Sequence, residues 1–164
     1  MAYSRFFLMI ALLLLVLPPN ATRAQSPLGL DVVTIPPIVM QSTAAREVTA
    51  YIDKSEQRMS VHVNGRARYS WPVSTARRGK ITPNGTFTAY FLSRNHRSSL
   101  YNNAPMPFSI FFHSHYAIHG TDQISRLGRP ASAGCVRLHP DNARVLFDLT
   151  REVGLKNMKV VIRD

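Results

Sequence analysis

The sequence predicts a mainly β domain with a single helix near its C-terminus, and three observations carry that expectation. Apolar and polar residues alternate through several short stretches between 47 and 118. Asn-Gly and Pro-Asn-Gly turns separate some of those stretches, and the apolar period lengthens to a helical one only after Pro140. Val48, Ala50 and Ile52 form the first alternating run and Met59, Val61 and Val63 the second, which ends at Asn64-Gly65. Asn-Gly between two such runs is a strong hairpin signal, and Ala67, Tyr69 and Trp71 continue the pattern on the far side. The turn Thr82-Pro-Asn-Gly85 leads into Phe87, Ala89 and Phe91, read as one further strand, and a polar loop is expected through 93–104. In "MPFSIFF", Phe108, Ile110 and Phe112 share a face, after which "HSH" turns the chain back into "YAIH". From Pro140, which suits a first helical turn, Val145, Leu146, Leu149 and Val153 fall at helical spacing up to a capping Gly154. "MKVVI" then reads as a closing strand. No internal repeat interrupts 46–164, which reads as one domain.

Ahead of that domain, residues 1–24 have the layout of a secretory signal peptide. Arg5 lies in a short polar start, Phe6 to Leu17 is an unbroken apolar run of twelve residues, and Pro18-Pro19-Asn20 precede the small residues of "ATRA", with cleavage expected after Ala24. Twelve apolar residues are too few to span a bilayer. No cysteine near that point offers a lipid attachment site, so no stable membrane anchor is expected after cleavage. Residues 25–45, rich in Pro, Ser and Thr, read as a linker. Cleavage removes Arg5 and Arg23, lowers the formal charge from +11 to +9, and leaves 140 residues, enough for one domain with a core. A chain this basic is drawn to polyanions, which outside the membrane means wall polymers or lipid head groups. Its basic residues are scattered apart from "ARRGK" at 76–80. They lack the aromatic platform of a nucleic-acid binder, so no nucleic-acid partner is expected.

An exported domain that uses cysteine structurally carries an even number, and this chain has one. Cys135 is therefore a free thiol, a partner for another chain, or a nucleophile. "CVRL" alternates, so Cys135 and Arg137 share one face while Val136 and Leu138 take the other, and His119 likewise opposes Ile118. If the apolar face is core, thiol and guanidinium look together into a cleft, and a nearby histidine such as His119 can take the thiol proton and later return it to a leaving amine. The N–H groups of Gly134 and Cys135 could face the developing oxyanion, glycine permitting close approach. A buried, inert cysteine beside an unrelated histidine fits the same spacing.

"AIHGT" at 117–121 followed by "LGRPASAGCVRL" at 127–138 resembles the signature of the L,D-transpeptidase catalytic domain (YkuD-type). The likeness extends to "VTAYIDKSEQRMSVHVNGRARYSWPVSTARRGKITPNGTF" and "APMPFSIFF", covering roughly 46–163. The resemblance implies a β-sandwich or barrel-like domain and a cysteine enzyme acting on peptidoglycan stem peptides as donor and acceptor, with no cofactor and no catalytic metal. Cys135 matches the family nucleophile, His119 its proton donor and acceptor, Gly134 the glycine before the nucleophile, and Arg137 the arginine two places after it. In that scheme Cys135 attacks the bond after the third residue of a donor stem, commonly diaminopimelate, expels D-alanine, and passes the acyl group to an amine. Another stem, an outer-membrane protein or a free D-amino acid can serve as acceptor, and water would make the enzyme a carboxypeptidase. Arg137 either holds a substrate carboxylate or ties neighbouring loops. The resemblance thus implies a periplasmic or secreted, wall-associated protein that cross-links or remodels the wall. One departure is plain: the family's Ser-His-Gly-Cys is Ser132-Ala133-Gly134-Cys135, which alters the pocket wall while leaving His119 as the base. The loop from Arg94 to Pro105, with His96 and Tyr101, is placed to shape the acceptor choice.

Two rival functions follow from other residues. His113, His115 and His119 alternate, which on a continuous strand would gather three imidazoles for zinc, although the turn at 114–115 breaks the shared face. A wall-binding module that has lost turnover is the non-enzymatic alternative, against which the retention of both Cys135 and His119 argues.

Overall fold

The computed structural model describes residues 46–164, so the expected signal peptide (1–24) and linker (25–45) lie outside the described residues. Among the described residues nine strands form two mixed sheets. The first two alternating runs appear as β1 (Val48–Asp53) and β2 (Arg58–Val63), and the run beyond Asn64-Gly65 as β3 (Arg66–Pro72). Asn64 and Gly65 take φ of 52° and 74°, the left-handed pair that a two-residue hairpin requires. Then come β4 (Gly85–Thr88), β5 (Phe91–Arg97), β6 (Pro105–His113), β7 (Tyr116–Gly120), β8 (Val136–Leu138), the helix α1 (Pro140–Val153) and β9 (Met158–Arg163).

One sheet has the order β3-β2-β1-β9-β4 and the other β5-β6-β7-β8. Two pairs are parallel, β1 with β9 and β7 with β8, so the C-terminal strand enters the middle of the first sheet beside the N-terminal one. The register aligns Val61, Ala50, Val160 and Phe87 in one row across four strands. That row and its neighbours meet Ile110, Phe112, Ile118, Val136 and Leu138 from the second sheet in one buried core. The helix adds Ala143, Leu146 and Phe147 to the core. Its start is capped by His139, whose side chain accepts from the Asp141 N–H at 3.3 Å, with Pro140 at the first turn.

Two expectations are corrected. Phe87, Ala89 and Phe91 do not share a strand: the Ala89 N–H donates to Met158 in the first sheet, while the Tyr90 N–H donates to Phe111 in the second. The chain changes sheets between these residues, and alternation in sequence cannot reveal which partner a strand meets. The expected polar loop also begins later, because residues 93–97 continue β5 against β6; its polar side chains are those of an edge strand with water on one side.

A second crossing positions the site. Beyond β3 the chain leaves the first sheet and runs along the free edge of β8, where Ser74 and Arg137 exchange both backbone hydrogen bonds at 3.1 and 2.9 Å. Gln57, itself buried, pins this crossing: its amide nitrogen donates to Thr75 Oγ1 at 2.6 Å and its carbonyl accepts from the Thr75 N–H at 2.9 Å.

Candidate active site

The four-stranded sheet presents one face to the core and the other to a cavity of about 390 Å³. Along the segment ending in β8, Val136 and Leu138 are fully buried in the core, while Cys135 and Arg137 line the cavity, the division that alternation requires. The parallel register sets His119 beside Arg137 on the neighbouring strand, and His119 lines the same cavity. Met106, Phe111 and Ala117 form a small apolar cluster that packs against Cys135. From the loop expected to shape specificity, His96, Leu100 and Tyr101 reach the wall.

His119 is locked in place. Its Nδ1 lies 2.7 Å from the Gly120 carbonyl oxygen; Nδ1–H donates there, which leaves Nε2 as the unprotonated nitrogen. Burial drives the imidazole pKa down from 6.5 to about 4. The Gly120 carbonyl opposes that shift, and the charges of Arg137 and His96 add to it. Burial likewise pushes the Cys135 thiol up, against a hydrogen bond from the Ala117 backbone and the Arg137 charge, both of which favour the thiolate. The thiol donates weakly to the His115 carbonyl at 3.8 Å. Both shifts favour the neutral forms, a thiol and an imidazole rather than a preformed ion pair, and a pair in those forms can react only with proton transfer to the base as the sulfur attacks.

Gly134 takes φ of 142°, and a Cβ there would lie 2.8 Å from Tyr116 Cε1 and 3.0 Å from the Ile81 carbonyl oxygen. Only glycine fits. The Gly134 N–H, expected to face an oxyanion, here donates to Ser132 Oγ at 3.0 Å, and the Gly134 carbonyl accepts from Thr82 Oγ1 at 2.7 Å. Sequence reasoning missed Thr82, Ser132 and Tyr116 as supports of this loop. The turn containing Thr82 was visible, but its contact across 52 residues was not. Of the two roles expected of Arg137, the loop tie is seen, Nη1 donating to Gln123 Oε1 at 3.1 Å, and the residue also lines the cavity. The three alternating histidines separate. The His113 ring lies against Phe87 and Tyr116, His115 stacks on Tyr116, and among the described residues no three His, Cys, Asp or Glu side chains gather to hold a metal ion.

A sequence profile of the L,D-transpeptidase catalytic domain matches residues 47–162. The chain belongs to that family. This L,D-transpeptidase domain is 29% identical over 85 residues to YkuD of Bacillus subtilis strain 168, a match covering 49% of this chain and 47% of that protein. An L,D-transpeptidase from Mycobacterium smegmatis superposes with a TM-score of 0.64 at 20% identity, over 73% of this chain and 59% of that one. L,D-transpeptidase 3 from Mycobacterium tuberculosis, in complex with a faropenem-derived adduct, superposes with a TM-score of 0.64 at 16% identity, over 73% and 61%. These two likenesses establish the fold. The L,D-transpeptidase domain here spans about half the length of the curated relative and about three fifths of the structural ones.

Proposed function

We propose that this chain is an exported cysteine L,D-transpeptidase that forms a thioester between Cys135 and a peptidoglycan tetrapeptide stem and transfers the acyl group to an amine. The observation that carries this reading is the opening of Cys135 and His119 into one cavity with His119 Nδ1 held by the Gly120 carbonyl. Cys135 Sγ attacks the carbonyl carbon of the donor's third residue as its proton passes to His119 Nε2. The C–N bond then breaks, the imidazolium returns the proton to the departing amine of D-alanine, and a thioester remains. An acceptor amine attacks the thioester and loses a proton to His119, which restores it to sulfur. The Cys135 N–H, rather than that of Gly134, is the backbone donor for the oxyanion, because the latter is engaged by Ser132. Arg137 holds the carboxylate of the leaving D-alanine with the donors it does not spend on Gln123. Export rests on residues 1–24, and the acceptor is another stem or an outer-membrane protein.

A penem or carbapenem tests the chemistry, since a faropenem-derived adduct is present on one relative. Incubation with faropenem should add a covalent mass to the wild-type protein, none to Cys135→Ala, and add it slowly to His119→Ala. A tetrapeptide stem should release D-alanine only with Cys135 present. No adduct and no D-alanine from a folded wild-type protein would leave the wall-binding module as the function. Recovery from the periplasm of a chain beginning at Gln25 checks the export step.

A further inference from the structure

One wall of the cavity is cationic beyond what its own carboxylates balance. Arg77 and Arg137 line it, and Asp122 is the only carboxylate that does. Arg77 is held there by its backbone, whose N–H donates to the Ser132 carbonyl at 3.0 Å. Its side chain makes one long contact to the same oxygen at 3.4 Å, and that of Arg137 makes one to Gln123. A guanidinium has five N–H donors, so most are unspent in both. Arg126, at the end of the 3₁₀ turn Ile124–Arg126, is exposed at the rim of this wall: its N–H donates at 3.0 Å to the carbonyl of Gln123, which itself lines the cavity and accepts from Arg137. Among the described residues none of the three forms an ion pair, whereas Arg46, Arg94 and Arg163 elsewhere each meet a carboxylate. Three like charges kept together around one acid repel one another, and an anionic ligand is what relieves that repulsion.

We infer that Arg77, Arg126 and Arg137 form a carboxylate-binding wall that takes a second carboxylate of the donor stem, besides that of the leaving D-alanine, and so selects stems whose side carboxylates are free over stems in which they are amides. The identity of the ligand rests on the function proposed above. Arg137 stands two residues from Cys135 on the same face, about 7 Å along the strand, within reach of a carboxylate one residue beyond the scissile bond. Arg77 and Arg126 widen the wall toward longer arms. A stem of this kind carries two: the α-carboxylate of its γ-linked glutamate and the far carboxylate of diaminopimelate. An amide in either place gives up the charge-assisted, two-pronged bond that a guanidinium makes with a carboxylate.

The test is calorimetric binding of three synthetic tetrapeptide stems to full-length mature Cys135→Ala protein: one with both carboxylates free, one amidated at glutamate, one amidated at diaminopimelate. One amidation should weaken binding roughly tenfold, the worth of a charged hydrogen bond, and which one does so identifies the carboxylate. Arg77→Gln with Arg126→Gln in the same background should bring free and amidated stems within about twofold, while Arg68→Gln, on the far hairpin, should leave the preference intact. Both cavity-side arginines are exposed, so unchanged unfolding midpoints are expected and verify that the variants fold. Equal affinity for all three stems, no measurable binding of any, or a preference that survives the double substitution overturns the wall. Thioester formation by intact Cys135 is read separately: selective binding without a thioester would sink the proposed reaction and keep the wall, and a thioester without selectivity would do the reverse.

Discussion

His119 is 6% exposed, and burial outweighs every neighbouring charge in keeping its imidazole neutral. Because Nε2 must be free to take the thiol proton, the acid limb of Cys135 acylation should have its midpoint near pH 4 instead of 6.5. A faropenem acylation rate followed by mass across the acid range checks this, and a limb at 6.5 would mean that water reaches the ring. The same shift has a sign for stability. The folded pKa is below the unfolded one, so as pH falls the unfolded chain binds the proton first, and the stabilisation present above 6.5 is lost on the way down to about 4. That loss is roughly 3 kcal/mol at about 1.4 kcal/mol per unit, and His119→Asn should flatten the acid arm of the stability curve. Gly134→Ala forces a side chain into a positive-φ site against Tyr116 and should cost about 1–3 kcal/mol in denaturant unfolding while slowing acylation. The faces of Cys135, Arg137 and His119 were legible from alternation alone, since a period of two assigns sides. The fate of the Gly134 N–H was not, because Ser132 Oγ can serve water, backbone or substrate equally well until the loop is folded.

Among the elements, the Thr82-Pro-Asn-Gly85 turn does more than reverse the chain. Thr82 Oγ1 donates to the Gly134 carbonyl at 2.7 Å and accepts from the Ala76 N–H at 3.0 Å, so one buried hydroxyl clamps the loop before Cys135 to the segment flanking β8. Thr82→Val keeps the shape and leaves both backbone groups unpaired, which should cost about 1–3 kcal/mol and lower the acylation rate, whereas Thr82→Ser should restore both. If valine left the acylation rate at the wild-type value, the clamp would be structural only. The hairpin at Asn64-Gly65 and the helix from Pro140 were readable because their signals are local: two positive-φ residues in one case, an N-terminal proline and a glycine end in the other. The split between β4 and β5 was not, because Ala89 and Tyr90 differ only in which distant strand receives their N–H groups.

At the scale of the whole molecule, the strand content and the one α-helix of the described residues could be read from periodicity, but the sheet order and the two parallel pairings depend on contacts between the two ends of the described region and across its middle that no local pattern encodes. Net charge is legible without any structure and acts at that same scale. With a formal charge of +11 over the full sequence and +9 without residues 1–24, and arginines spread over many elements, attraction to an anionic polymer sums over the surface instead of residing in one patch. Such attraction is screened with a Debye length of about 10 Å at 0.1 M salt and about 3 Å at 1 M. Retention of the mature protein on isolated cell-wall sacculi should therefore fall steeply as salt rises through that range. Cys135→Ala should follow the same curve, because adsorption does not use the thiol, and Arg77→Gln with Arg126→Gln should shift it only by the share of two charges. Retention indifferent to salt would assign wall attachment to specific contacts in the cavity, and the cavity variants would then release the protein where the salt did not.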